Sequence, residues 1–405
     1  MQRRTKVCLM VTLSAVVVAA VLGVTLYLLD RADAQTPRDL RSIVGADLDE
    51  LRSRFGRVQD NGAYIAIARI HGDDGYHCPH ERPEFLAWHR AYLITFEQAV
   101  GIITPYWDWT EYVHIPALDD PFYTVNGRQQ RNPLNTGYLY DSAQGGLTGQ
   151  LTERQWGQLD AAYLAEYAYR ALTRNSFADF QRELEAVHAT VHNQIGGTMV
   201  PVKTAAFDPI FWFHHAFVNI IWSMWVSLHP QADMGGVDDV VVDNYDLSGS
   251  RTRIRTAMQR NVAFPHNRLY RRAAQAVRGG GGGLQFMAME DESAGDDDWY
   301  REHLILTVHN VTSPMDSSRV LVTFEGKTAG YMGMLGMAHR ATMTPGHAMA
   351  CYDRIVDLTI GYHTHIGGRD LHQVKHCMEV RMENLNTGDL VTFTEDQYDL
   401  QWETY

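Results

Sequence analysis

Two segments of the chain combine several histidines with long apolar and aromatic runs, and this combination restricts the possible folds more than any other feature. The first is HCPHERPEFLAWHRAYL at residues 77–93, and the second is ELEAVHATVHNQIGG at residues 183–197. An imidazole ring among apolar side chains is costly unless both of its nitrogens have partners. The two segments therefore indicate metal ligands, proton carriers or ordinary polar residues at a surface.

Helical periodicity dominates the first two thirds of the chain. Apolar residues repeat with helical spacing over residues 84–100, 152–172, 176–195 and 209–228. A further helix is predicted to begin at Thr36, which can cap it, with Pro37 in the first turn. Residues 111–150 are rich in Gly, Asn, Pro and Asp, and they predict a long irregular loop.

The pattern changes after residue 275. Five glycines and then the acidic run EDESAGDDD interrupt the helical periodicity, and short alternating runs such as RVLVTFEG follow and predict strands. The predicted organisation is a signal anchor or signal peptide at 1–34, a mainly α-helical bundle domain at 35–275, a Gly-rich and acidic linker at 276–298, and a small antiparallel β-sandwich domain at 299–405.

The N-terminus predicts export. A basic start, MQRRTK, precedes residues 7–29, which carry no charge and fit either a membrane-spanning helix or a long signal peptide. Ala32–Ala34 forms a small-residue cleavage pattern just beyond. We therefore expect the secretory pathway, with the protein either secreted or anchored through residues 7–29. The net charge of −13, without a basic block after the first residues, argues against binding to nucleic acid.

Three features downstream fit that compartment. Cys351 and Cys377 could form a disulfide, with two free thiols as the alternative. Asn310 begins an Asn-Val-Thr glycosylation acceptor. Cys78 is left without an obvious partner.

The spacing of the histidines points to a pair of metal ions. His188 and His192 are four residues apart, so both rings lie on one helix face and can hold one ion. His214 and His215 are adjacent on another predicted helix and point about 100° apart, so only one of them can face the same centre. Histidine-only donor sets without an H-E-x-x-H motif favour copper over zinc. Helix bundles build dinuclear sites from facing helices.

Residues from about 60 to 230 resemble the type 3 dicopper family, which comprises tyrosinases, catechol oxidases and molluscan-type hemocyanin units. The matching motifs are IHG at 70–72, CPH at 78–80, FLAWHRAYLITFEQA at 85–99, PYWDWT at 105–110, HATVHNQIGG at 188–197 and FDPIFWFHHAFVNIIW at 207–222. The resemblance implies two copper ions, with dioxygen as co-substrate or ligand. It implies that His71, His80 and His89 hold the first copper and that His188, His192 and His215 hold the second. His77 is the rival of His71, and His214 is expected to be a bystander.

The resemblance also implies roles for residues around the metals. Cys78 would be joined to His80 by a thioether bond, and Phe211 would shield the copper pair. Leu335 is the candidate for a residue that plugs the copper cavity, with an ordinary core leucine as the alternative. Glu185 stands where tyrosinases keep a glutamate that orients a water, or it is a solvated helix residue.

The chemistry expected from this resemblance is the oxidation of diphenols. Ala189 occupies the position where the family usually has the asparagine that assists the glutamate, and this puts monophenol hydroxylation in doubt. We therefore expect a copper oxidoreductase of tyrosinase or catechol-oxidase type that acts on phenolic small molecules. The alternative is a hemocyanin-like reversible oxygen carrier, and a third possibility is a protein that has kept the fold and lost copper. The sequence gives no indication of the oligomeric state.

Overall fold

The computed structural model describes residues 37–72, 78–157, 159–234, 264–279, 302–312, 316–335 and 351–404. Several predictions lie outside these residues: the signal anchor or signal peptide at 1–34, His77 and nearly all of the linker at 276–298. Among the helices that are described, none is both long and apolar enough to cross a membrane.

A helical region comes first in the chain. Its helices are α1 (Ala46–Asp60), α2 (Ala63–Gly72), α3 (Phe85–Val100), α4 (Pro116–Asp119), α5 (Ala161–Thr173), α6 (Phe177–Ile195), α7 (Val202–Ala205), α8 (Ile210–Leu228) and α9 (Arg268–Gly279). Three helical predictions are confirmed almost to the residue, in α3, α6 and α8. The helix predicted from residue 152 begins later, because Asp160 caps α5 by accepting from the backbone N–H groups of Ala162 and Tyr163.

Two further predictions for this region are wrong in detail. No single helix follows residue 36: Leu40–Ser42 forms a short 3-10 helix, and Gly45, with φ +57°, separates it from α1. The stretch at 111–150, predicted as an irregular loop, contains two small hairpins. Their strands are β1 (Phe122–Val125), β2 (Arg128–Arg131), β3 (Tyr138–Asp141) and β4 (Gly146–Leu151).

The C-terminal part is built on two antiparallel sheets, as the sequence predicts in coarse form. Its elements are β5 (Glu302–Thr312), β6 (Ser318–Phe324), β7 (Lys327–Met334), β8 (Cys351–Asp357), α10 (Thr359–His365), α11 (Leu371–Cys377), β9 (Met378–Asn384), β10 (Leu390–Thr392) and β11 (Tyr398–Thr404). One sheet has the order β10-β9-β6-β7 and the other has the order β11-β5-β8. The helices α10 and α11 were not predicted, and the finer prediction of a β-sandwich stays a prediction.

The two sheets pack on the helical region through specific contacts. Gly333 of β7 lies so close to α6 that a Cβ atom there would be 2.5 Å from the backbone of Ala189 and Thr190. The Gly333 N–H donates to Thr190 Oγ1 at 2.8 Å. Tyr163 of α5 donates its hydroxyl to the carbonyl of Tyr331 at 2.6 Å. One continuous apolar core therefore includes residues from both regions.

The disulfide predicted between Cys351 and Cys377 is wrong in this structure. Cys377 is a free cysteine at the end of α11, and its thiol donates to the carbonyl of Val374 at 3.2 Å. The strand that follows it belongs to the four-stranded sheet, whereas the strand that begins at Cys351 belongs to the three-stranded sheet. Asn310 is exposed on β5, and its glycosylation stays a prediction.

Candidate metal centre

The first histidine cluster joins two helices and the segment between them. His71 lies in the last turn of α2, His89 lies in α3, and Cys78 and His80 lie in the connecting segment. One potential ligand atom from each of these four residues lies within 4.8 Å of the others, and all four are buried. The structure therefore places His71 in the cluster, as the sequence predicts.

The second cluster is formed by one face of α6 and one turn of α8. His188 and His192 lie one turn apart on α6, with ring centroids 4.5 Å apart, and His214 and His215 approach them from α8. The potential ligand atoms of these four buried residues also lie within 4.8 Å of one another. The cluster thus contains one histidine more than the predicted set, namely His214.

The two clusters adjoin each other through His215 and His188. The ring of His215 stacks on His89, with centroids 4.5 Å apart and planes 9° apart. Its Nε2 lies 3.2 Å from Nε2 of His188, whose ring is 5.7 Å from that of His80. The ring of His214 stacks on His188 at 5.1 Å and lies 6.2 Å from Trp109, on the side of the second cluster. His215 is therefore the member of the adjacent pair that faces the first cluster.

Backbone carbonyl groups fix the orientation of several of these rings. The Nδ1 atoms of three histidines each contact a carbonyl oxygen: His71 to Val202 at 2.9 Å, His89 to Phe85 at 2.8 Å and His192 to Met199 at 2.8 Å. This contact sets the tautomer and leaves Nε2 available as a metal ligand. In the described part of the chain, Nε2 of His71 and Nε2 of His192 are buried without a hydrogen-bond partner. Such atoms fit a site that binds metal.

Burial also keeps these imidazoles in the form that binds metal. Desolvation lowers the pKa of His71 to about 3 and that of His192 to about 4. The pKa values of His80, His89, His188 and His215 are also lowered, again chiefly by burial. A neutral imidazole is a good ligand for copper, and two adjoining imidazole sets suit two ions.

Phe211 lies between the two clusters, as predicted for a shielding residue. Its ring centroid is 4.8 Å from that of His71 and 4.1 Å from that of His215, and its side chain is fully buried. It occupies α8 one turn before His215.

A cavity of about 630 Å³ reaches the centre from the side of His80. The cavity is lined by residues from the start and middle of α6, by the end of β7 and by Leu335, which follows β7. The predicted plug Leu335 lines this cavity and is only 4% exposed. Met332 and Met334 at the end of β7 also line it, and no motif in the sequence marks them.

Glu185 also lines the cavity, one turn before His188 on α6. Its Oε1 accepts from the backbone N–H of Glu81 at 2.6 Å, and burial raises the pKa of its carboxyl group well above the usual value. Asn193 is not directed to Glu185, because its Nδ2 donates to the carbonyl of Ser318 at 3.0 Å. Ala189 lines the cavity without offering a polar side chain.

The thiol of Cys78 lies against His80. Its Sγ is 3.5 Å from Nδ1 and 3.6 Å from Nε2 of that ring, and 3.1 Å from Nε2 of His89. Near-equal distances to both ring nitrogens of His80 place the sulfur on the side of the ring carbon between them, or over the ring. Desolvation raises the pKa of the thiol well above its usual value.

One buried contact beside the centre had no signal in the sequence. Glu81, directly after His80, forms an ion pair with Arg354 of β8, with Nη2 and Oε1 2.6 Å apart. The two residues are 273 positions apart in the chain. Neither belongs to a periodic pattern or a motif, so only the folded structure brings them together.

Comparisons with known proteins agree with this centre. Residues 61–228 match the family model described as the common central domain of tyrosinase. Over 217 residues the chain is 30% identical to Hemocyanin 1 of Megathura crenulata, a match that covers 47% of this chain and 6% of that protein. Over 225 residues it is 29% identical to the tyrosinase of Streptomyces antibioticus, covering 45% of this chain and 81% of that protein.

The fold has solved counterparts as well. The structure of deoxygenated hemocyanin from Rapana thomasiana aligns with a TM-score of 0.67 at 16% identity, over 92% of this chain and 99% of that one. Tyrosinases and hemocyanins are thus both among the similar proteins. The common central domain at residues 61–228, the fold and the two histidine clusters together support a type 3 dicopper family, whose members use two copper ions together with dioxygen, and the two clusters fit such a dinuclear site.

Proposed function

We propose that the protein is a copper-dependent phenol oxidase of tyrosinase or catechol-oxidase type, which uses dioxygen to oxidise diphenols to quinones. The observation that carries this proposal is the cavity against His80, because it leads to the histidine clusters and has largely apolar walls. Cavities of this size, apolar with a few polar groups, suit small organic molecules. Phe177, Ala186 and Leu335 would contact the substrate ring.

In this proposal each histidine cluster supplies three ligands. The first copper is held by His71, His80 and His89, and the second by His188, His192 and His215. When bound, a copper pair at this site would supply the electron transfer between the phenolic substrate and dioxygen. The protein holds the imidazoles neutral and fixed through backbone carbonyl groups, and Phe211 excludes water from the space between the clusters.

Diphenols are favoured over monophenols because the groups that would take a proton from a monophenol are engaged elsewhere. Glu185 would have to orient a water, yet its Oε1 accepts from the backbone of Glu81. Ala189 has no amide to share that water, and Asn193 is bound to Ser318.

We further propose the thioether bond between Cys78 and His80. The position of Sγ relative to both ring nitrogens of His80 supports a link to the carbon between them. Its formation breaks the S–H bond and one ring C–H bond and forms the S–C bond, and the two hydrogens with their two electrons reduce dioxygen to hydrogen peroxide. Mass spectrometry of the peptide that contains both residues, isolated from copper-loaded protein, should therefore give a mass lower by two hydrogens. An unchanged mass with a thiol that alkylates would contradict the link.

A second candidate function is reversible oxygen carriage, and the position of Leu335 favours it. The side chain is nearly fully buried and lines the same cavity as His80, and Met332 and Met334 at the end of β7 line it as well. If these side chains keep phenols away from the copper pair, dioxygen binds and leaves without oxidising a substrate. The sequence similarity to Hemocyanin 1 is in accord with this alternative.

Catechol turnover by the copper-loaded chain tests the proposal and separates the two candidates. We expect the wild-type protein to oxidise catechol, and the Leu335→Ala variant to show a higher kcat/KM because the smaller side chain widens access. Leu400→Ala, which truncates a buried leucine of β11 outside the cavity, is the control and should leave kcat/KM unchanged. Reversible oxygen uptake without catechol turnover in either wild type or Leu335→Ala would replace the oxidase by the carrier.

A further inference from the structure

The segment that carries His80 differs from the other parts of the first cluster in how it is held. His71 and His89 lie in helices, and a backbone carbonyl fixes the Nδ1 atom of each. His80 lies in a turn between α2 and α3. In the part of the chain that the structure describes, its ring has hydrogen-bond contacts only with Cys78 Sγ. The position of this imidazole must therefore depend on contacts of the neighbouring backbone.

The backbone next to His80 is strained, and two side chains hold it. Glu81 has φ +56°, in the left-handed region that a residue with a side chain adopts at a cost. Its N–H donates to Glu185 Oε1, and its own carboxylate accepts from Arg354. A strained backbone conformation of this kind persists only when several contacts hold it, and Glu81 has one contact through its N–H group and one through its carboxylate.

The ion pair between Glu81 and Arg354 is well placed to do this. The two side chains are 11% and 10% exposed, so water competes little for either charge. The pair connects the turn at His80 with β8 of the C-terminal region, and Arg354 also lines the cavity. Removing one partner of a buried pair takes away a contact that stabilises the other charge, so the turn would rearrange towards water.

We propose that Arg354 is a positioning residue for the first copper ion, which acts through Glu81 to keep His80 in place; this inference rests on the copper site of the proposed function. The C-terminal region then has two separable roles. Leu335 limits access to the cavity, whereas Arg354 holds a ligand-bearing turn. Truncating Leu335 would change access without loosening copper, whereas removing the Arg354 guanidinium would loosen copper.

The test is the rate at which the copper-loaded full-length chain loses copper to an excess of EDTA. Partners of metal ligands typically change metal affinity by about 10–100-fold when they are mutated. We expect Arg354→Met and Glu81→Gln each to lose one copper about tenfold faster than wild type. The double variant should lose it no faster than either single variant, because both remove the same contact. Arg354→Lys, which keeps the charge, should restore part of the wild-type rate.

Glu403→Gln is the matched control. It removes the contact between Arg174 and Glu403, another ion pair between the helical and C-terminal regions, away from the cavity. Its copper loss should equal that of wild type. A wild-type rate in Arg354→Met, or additive effects in the double variant, would overturn the proposal. If Arg354→Met does not fold, Glu81→Gln and Arg354→Lys give the same comparison.

The same samples separate this inference from the proposed function. If wild type holds two copper ions and the release rates follow the expected pattern, the positioning role stands even when catechol is not oxidised, and only the oxidase proposal fails. If catechol is oxidised and the release rates do not change, the positioning role fails alone. A wild-type chain that binds no copper contradicts both.

Discussion

At the scale of single residues, the adjacent pair His214 and His215 offers the sharpest prediction. We expect His215→Ala to abolish the absorption of the oxygenated copper pair, because this ring faces both clusters and stacks on His89. His214→Ala should keep that absorption, since the described ring contacts of His214 are with Trp109 and the second cluster, whereas His215 also contacts His71 and His89. His229→Ala is the control, because this half-buried histidine belongs to neither cluster. If the absorption of the oxygenated copper pair were lost only in His214→Ala, His214 would be the copper ligand and His215 the bystander.

The sequence identified the clustered histidines because the spacing of His188 and His192 on one helix encodes a shared face. Helix geometry alone could not decide which of His214 and His215 faces the centre. Adjacent residues on a helix point in different directions, and only the packing of the helix determines which side chain faces the centre. The contact of Arg354 with Glu81 lay beyond sequence reasoning altogether. It joins a strand to a turn 273 residues away, and nothing local in either segment requires it.

At the scale of elements, the packing of β7 on α6 depends on Gly333. A methyl group there would meet the backbone of Ala189 and Thr190 at 2.5 Å, so Gly333→Ala must push the strand off the helix next to His188. We expect a loss of about 1–3 kcal/mol in the free energy of unfolding, the usual cost of overpacking. Gly146→Ala in β4, where no atom lies within 4 Å, should be close to neutral. Denaturant unfolding of the metal-free variants measures both, and equal stability of the two would contradict the contact.

Elements with long, regular patterns were predictable and short ones were not. The helices α3, α6 and α8 span four or more turns each, so their periodicity outweighs local exceptions. The hairpins within 111–150 have strands of four to six residues, too short for the alternation to stand out from a composition rich in Gly, Asn and Asp. The helix α11 has seven residues and depends on a capping box between Asp370 and Gln373.

At the scale of the whole molecule, the regions that the sequence predicts as separate domains share one apolar core. Two tyrosine hydroxyl groups of α5 join the helical region to the sheets. Tyr163 donates to the carbonyl of Tyr331 in β7, and Tyr167 donates to the carbonyl of Ile355 in β8. The change in pattern after residue 275 marks a change in secondary structure, and α9 continues past it to Gly279. Residues far apart in the chain make these contacts, so no window of sequence contains them.

The shared core also buries seven histidines in the two clusters, and this predicts how the stability of the metal-free protein depends on pH. Their pKa values lie below the ordinary 6.5 in the folded state, with His192 at about 4, and return towards 6.5 on unfolding. Between about pH 6.5 and pH 5 the unfolded chain therefore binds more protons than the folded one, so stability falls as the pH falls. The raised pKa values of the carboxyl groups of Glu185, Glu166, Asp108 and Asp119 act in the opposite direction, but these four groups are outweighed by the seven histidines.

Each excess proton on the unfolded chain contributes a slope of about 1.4 kcal/mol per pH unit. We expect the unfolding free energy of the metal-free protein, measured with denaturant, to decrease from pH 6.5 to pH 5. His192→Gln, whose side chain cannot titrate, should lower that slope by up to this amount. A flat profile would mean that the imidazoles are hydrated in the metal-free state, because only their desolvation separates the folded from the unfolded pKa.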